Sequence, residues 1–154
     1  MSGLNKLKEN VWVIMLVLSM IFIAVTLFIM SNGNNIFPTA LKIAGSSQNT
    51  EDIEGKALAF INMSMLKPLW EGIWMGLFGI IIALGLKKEV PEVQKYAWTL
   101  GLVWGIMMLS NAVIQGGYEI LILGWSMVCV QTFSFLFLGL VALVSLLIAR
   151  KEFM

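Results

Sequence analysis

The stretch "WEGIWMGLFGIIIALGLKKEVPEVQKYAWTLGLVWGIMMLSNAVIQ", Trp70–Gln115, decides the fold. It holds two apolar runs around a short charged interruption. About 20 apolar residues cross a ~30 Å hydrocarbon core, so residues 69–86 and 96–115 read as two membrane-spanning helices. The interruption "LKKEVPEVQKYAW" is short enough to make them antiparallel neighbours. Pro91 is suited to the first helical position, where its missing N–H has no helical partner to lose. Glu92 complements the positive end of the helix that Pro91 opens. Gly116 and Gly117 are expected to end that helix, because glycine tolerates the left-handed cap conformation.

Working outward, Val11–Met30 and Trp125–Ala149 have the same apolar character. The chain of 154 residues is 59% hydrophobic and 12% charged. An ordinary soluble domain is about 45–50% apolar and about 25% charged, so too little polar surface is present to coat a water-soluble globule. The expected fold is all-α: a single integral membrane four-helix bundle over residues 1–154, with an outer segment, 31–67, between the first two helices. Lys6 and Lys8 precede an apolar run longer than a signal-peptide core, and "FIMSNGNN" offers no small-residue cleavage site. The first run therefore reads as a retained helix.

Basic residues set the expected orientation. Lys6, Lys8, Lys87, Lys88, Lys95, Arg150 and Lys151 fall on one side, against Lys42, Lys56 and Lys67 on the other. Excess Lys and Arg face the cytoplasm, so both termini are expected inside, in a plasma or cytoplasmic membrane. Trp70, Trp74, Tyr118 and Trp125 then gather at the outer interface, with Trp12 and Trp98 at the inner one, as amphipathic rings at headgroup level do. The outer segment is too long for a structureless loop. Asn49 or Thr50 can cap a helix in it, with Ile53, Ala57, Phe60, Ile61 and Met65 on one face.

Two sets of residues invite functional readings. Gly72, Gly76, Gly79 and Ala83 form a stripe of small residues on the second helix. Gly101 and Gly105 open a similar face on the third, continued by Met108, Ala112 and Gln115. Lipid tails are as apolar as leucine, so helices in a bilayer associate by close packing, and small residues let backbones approach. The stripe is expected to pack against the third helix or a partner. Asn111, Gln115 and Glu119 repeat at a spacing of four, and Glu71 lies at the matching end of the second helix. This polar cluster reads as an interhelical hydrogen-bond clamp with a wet rim, Asn111 being its deepest member; a small-molecule, ion or headgroup site is the functional alternative. Gln131 and Ser134 are expected to be buried hydrogen-bonding groups of the last helix.

Several chemistries are excluded or weakened. The sequence contains no histidine and one cysteine, Cys129, which removes histidine acid–base catalysis, an intrachain disulfide and most zinc or haem sites. The eleven methionines include thioethers able to hold Cu(I), but methionine is ordinary filling in apolar helices. Asn62–Ser64 matches a glycosylation sequon. No cofactor is implied, and a net charge of +1 without a basic groove argues against nucleic acid. The expected function is a non-catalytic multi-pass subunit, in contact with membrane lipid and with other integral membrane subunits or copies of itself. The alternatives are a small oligomeric transporter or channel and a membrane enzyme acting on a lipid-soluble substrate.

Overall fold

The computed structural model describes residues 10–31, 71–123 and 130–153. The expected amphipathic helix of the outer segment, the Asn62 sequon, Trp70, Trp125 and Cys129 lie outside these residues, as do the side chains of Tyr118, Glu119 and Gln131. Among the described residues the chain is all-helical. The elements are α1 (Val11–Ser31), α2 (Ile73–Lys87), α3 (Pro91–Leu123), α4 (Val130–Ile148) and the short α5 (Arg150–Phe153). Each of the first four packs on its sequence neighbours, and α1 packs on α4, so the ring closes.

Local chemistry explains the boundaries. Pro91 opens α3 with Glu92 in its first turn. The α2–α3 turn is held by Lys88 N–H donating to Gly85 O (3.2 Å) and by Gln94 Nε2 donating to Leu86 O (3.2 Å). A methyl added at Gly85 would lie 2.7 Å from Ala97 Cβ, which shows how closely the two helices part from the turn. At this turn end of the bundle, Lys87 Nζ sits 4.8 Å from the centroid of the Trp12 ring.

The far end of α3 differs from expectation. Gly116 and Gly117 do not stop the helix, which continues to Leu123. Neither glycine takes a left-handed φ. Gly116 is buried against Thr132 of α4, where an added methyl would meet Thr132 Cγ2 at 3.1 Å. Its small size serves packing, and the helical conformation is kept. At 33 residues and about 1.5 Å per residue, α3 is about 50 Å long, well beyond a ~30 Å hydrocarbon core.

The glycine stripe of α2 also differs in its partner. Gly72 lies against Thr26, Gly76 against Ile23 and Ser19 O, and Gly79 against Ser19. The three glycines of the stripe thus face α1, where α3 or a separate chain was expected; at Gly79 α3 also approaches, through Trp104. The reason is complementarity of depth. Ser19 and Thr26 are small, seven residues apart, and fold their hydroxyls back onto Met15 O (2.7 Å) and Phe22 O (2.9 Å). That leaves shallow sites in register with Gly79 and Gly72. Gly101 and Gly105 of α3 face Leu146 and Leu143 of α4. At Gly139 of α4 the two backbones nearly touch, an added methyl lying 3.3 Å from Gly105 O.

The core is formed by Met15, Phe22, Trp104, Met108, Phe135 and Leu146, all fully buried. Phe22 and Phe135 join α1 to α4 with ring centroids 5.0 Å apart. Trp104 Nε1 donates to Met75 O on α2 (2.9 Å), and Trp98 Nε1 donates to Leu146 O on α4 (2.9 Å). Trp98, expected among the interfacial rings, is therefore buried between α3 and α4. An indole N–H in an apolar interior requires an acceptor, and a carbonyl on a neighbouring helix supplies it.

The outer surface is apolar. Phe28 of α1, Ile81 of α2, Val113 of α3 and Phe137 of α4 are 65%, 63%, 71% and 66% exposed. Two helices have windows long and apolar enough to cross a membrane: Val11–Phe28, with mean hydropathy 2.8, and Pro91–Gly117, with 1.6. Only 33% and 39% of these windows are buried within the bundle, whereas the apolar core helix of a soluble protein is mostly buried. Ile73–Lys87 and Thr132–Ile148 are shorter apolar helices.

Candidate functional site

The polar residues of the interior are placed by the same packing that sets the helix register. Thr26 of α1 touches Gly72, the residue after Glu71. Thr132 of α4 touches Gly116, the residue after Gln115. The Phe22–Phe135 pair lies about one turn nearer the middle of the bundle than either threonine. Thr26 of α1, Glu71 just before α2, Gln115 of α3 and Thr132 of α4 therefore lie within about a turn of one level, at the end away from the α2–α3 turn.

Burial ranks these groups. Thr26 and Gln115 are 0% and 1% exposed and Thr132 is 6% exposed. Glu71 is half-buried, with Oε2 itself buried, and occupies a widened helical turn just before α2. The layer combines two hydroxyls, one amide and one carboxyl group. It can bind the helices together by hydrogen bonds, and Glu71 is its one ionisable member.

The expected cluster is brought together only in part. The contact of Gly101 with Ile82 fixes the α2–α3 register, and counting outward from it puts Glu71 opposite Asn111 and Ala112. Gln115 follows one turn further out. Gln115, rather than Asn111, holds the buried position; Asn111 is half-buried on the flank of α3. Glu119 lies on α3 one turn beyond Gln115. At this end of α4 the buried hydroxyl is that of Thr132, with Ser134 half-buried.

Thr26 and Thr132 were missed by reading single helices. The signal for Thr26 was its heptad spacing from Ser19, the two hydroxyl residues within a run of mean hydropathy 2.8. Trp104 was also missed. It sits midway between Gly101 and Met108 on the same small-residue face, which marks the side of α3 turned inward.

Two surface grooves adjoin the layer. One, of about 430 Å³, is bordered by Glu71, Trp74, Met75 and Phe78 along α2. The other, of about 300 Å³, lies between α3 and α4, with Ala112, Gly116, Gly117, Thr132, Phe133 and Leu136 among its walls. Among the described residues no group of three acidic or cysteine side chains is arranged to hold a metal ion.

Comparison with protein families, with curated proteins and with solved structures finds no match for this chain.

Proposed function

We propose that this chain is a four-span integral membrane protein and a non-catalytic subunit that assembles with partner helices in a larger membrane complex. Its apolar exterior and polar interior layer support the membrane reading: large apolar side chains stand outward on all four main helices, while Ser19, Thr26, Gln115, Thr132 and Ser145 are turned inward. In a bilayer that arrangement removes polar groups from lipid, whereas in water it would expose an apolar patch far beyond that of ordinary monomers. Both termini lie on the cytoplasmic side in this reading.

The observation that carries the subunit function is the filled interior. Phe22, Trp104, Met108 and Phe135 are fully buried at the middle of the bundle, where a solute path through one copy would have to run. The internal glycines are occupied by neighbouring helices, so partner contacts fall on the exposed apolar flanks. Native purification in mild detergent tests the proposal. Stoichiometric co-purifying membrane chains are expected. A lone homo-oligomer that moves ions or small solutes when reconstituted in liposomes would overturn it in favour of the transport reading, to which the Glu71 carboxyl at the end of the polar layer lends support.

A further inference from the structure

We propose that two copies of this chain pair through α3, parallel and side by side, with the Ser110 hydroxyl of each copy bonded to that of the other. The proposal rests on the membrane reading above and names what covers one of the exposed apolar flanks.

Ser110 is the exception on the lipid-facing surface. Among the described residues, the exposed side chains of α1 at 17–28, of α2 at 77–84 and of α4 at 133–147 are all apolar. On α3 those from Leu100 to Ile114 are apolar too, apart from Ser110. Ser110 stands seven residues before Gly117, the end of the apolar window, and so about 10 Å inside it along the helix. The Ser19, Thr26 and Thr99 hydroxyls each donate to a carbonyl four residues back. The Ser110 hydroxyl makes no such bond within the described chain. A hydroxyl turned toward hydrocarbon without a partner is costly, and acyl chains offer it neither donor nor acceptor.

The surface around Ser110 has the form of a helix–helix seam. Val103, Met107, Ser110, Ile114, Gly117 and Leu121 follow one another at alternating steps of four and three residues, the repeat by which one helix keeps a single face against another. The four large members are exposed, Leu121 by 86%, and an added methyl at Gly117 meets nothing within 4 Å. Nothing described within one copy fills this seam. Ser110 and Gly117, one heptad apart, are small enough to let a second backbone come close, and alanine at 117 would still allow it. No seam residue carries a charge that would oppose a like copy. Every copy enters the membrane in one orientation, so two α3 helices run parallel, and a two-fold axis along the membrane normal sets each seam residue beside its own counterpart. A serine hydroxyl is both donor and acceptor. Ser110 is therefore complementary to itself, and a second copy supplies its partner by symmetry.

The test uses the full chain in native membranes, in a Cys129→Ser background. Ser110→Cys, which changes one atom, is oxidised with copper phenanthroline and read by non-reducing electrophoresis and mass. It should cross-link to a species of twice the chain's mass. Val144→Cys, on the exposed flank of α4, should cross-link only by chance collision. Ser110→Leu should weaken dimerisation in lipid on the order of tenfold, by overfilling the seam, as measured by energy transfer between labelled copies on dilution. Because Ser110 faces outward, the monomer's fold should survive the change. Equal cross-linking at positions 110 and 144 would overturn the proposal, as would unchanged dimerisation of Ser110→Leu. A Ser110→Cys adduct of any other mass would give the flank to a different chain and overturn the assignment to a second copy. Resistance of the wild-type chain to alkaline extraction reads the membrane proposal separately, and co-purifying chains read the subunit proposal, which a dimer leaves standing. If Ser110→Leu fails to fold, the cross-linking of Ser110→Cys still decides.

Discussion

Gly79 is the position where the packing reading is most exposed to test. A methyl group there would overlap Ser19 Oγ and lie 3.0 Å from Trp104 Cζ2 and 3.1 Å from Ser19 Cβ. Neither neighbour yields cheaply. The Ser19 hydroxyl is bonded to Met15 O at 2.7 Å, and the Trp104 indole is held by Met75 O at 2.9 Å. Overpacking a filled interior costs about 1–3 kcal/mol, while alanine gains up to about 1 kcal/mol over glycine in a helix. Gly79→Ala should therefore destabilise by about 1–2 kcal/mol. A chain of this size moves its Tm by about 2–4 °C per kcal/mol, so the midpoint of thermal unfolding in mild detergent, followed by tryptophan fluorescence, should fall by about 2–8 °C. The decisive element is a cycle with Ser19→Ala, which removes the closest atom. Residues in contact couple by about 0.5–3 kcal/mol, so Gly79→Ala should be milder in the Ser19→Ala background by at least about 0.5 kcal/mol. Additive effects of the two substitutions, or a raised Tm for Gly79→Ala alone, would refute the α1–α2–α3 packing described here.

Gly117 provides the opposite case: an added methyl meets nothing within 4 Å, so Gly117→Ala should leave the Tm unchanged or raise it by the equivalent of about 0.5–1 kcal/mol. Trp104→Phe removes the hydrogen bond to Met75 O and opens a cavity, and should lower stability by roughly 2–4 kcal/mol in the same unfolding assay. Gln115→Leu should change stability by less than about 1 kcal/mol, since membrane hydrogen bonds average about 0.6 kcal/mol by double-mutant cycles; a loss of several would mean that the polar layer holds the bundle together. For topology, in a Cys129→Ser background, a cysteine replacing Ser47 should react with an impermeant thiol reagent in intact cells and one replacing Ser2 should not; the reverse pattern would invert the proposed orientation.

The helical segments were legible in the sequence because their causes are local. Long apolar runs, the proline at position 91 and the acid after it act within a turn or two of themselves, and α3 does begin at Pro91. The inward face of α3 was legible as well, through Gly101, Gly105, Met108 and Ala112, all buried, because a row of small residues is a property of one helix. The candidate site was legible in part: Glu71 and Gln115 were named, but Thr26 and Thr132 were not, since a single hydroxyl in an apolar run looks the same whether it faces a neighbour or lipid.

Tertiary structure decided what depends on a second surface. A glycine stripe announces that something comes close without saying what. Thr26 and Ser19, back-bonded and seven residues apart, gave the α2 glycines their partner in α1. Gly116 could have capped α3 or packed it, and the contact with Thr132 settled it as packing. Trp98 could have stood at headgroup level, but the Leu146 carbonyl on α4 satisfied its N–H inside. Local propensity fixes where a chain becomes helical. Which face turns inward, and against which neighbour, follows from fitting close-packed surfaces together, and that fit involves residues far apart in the sequence.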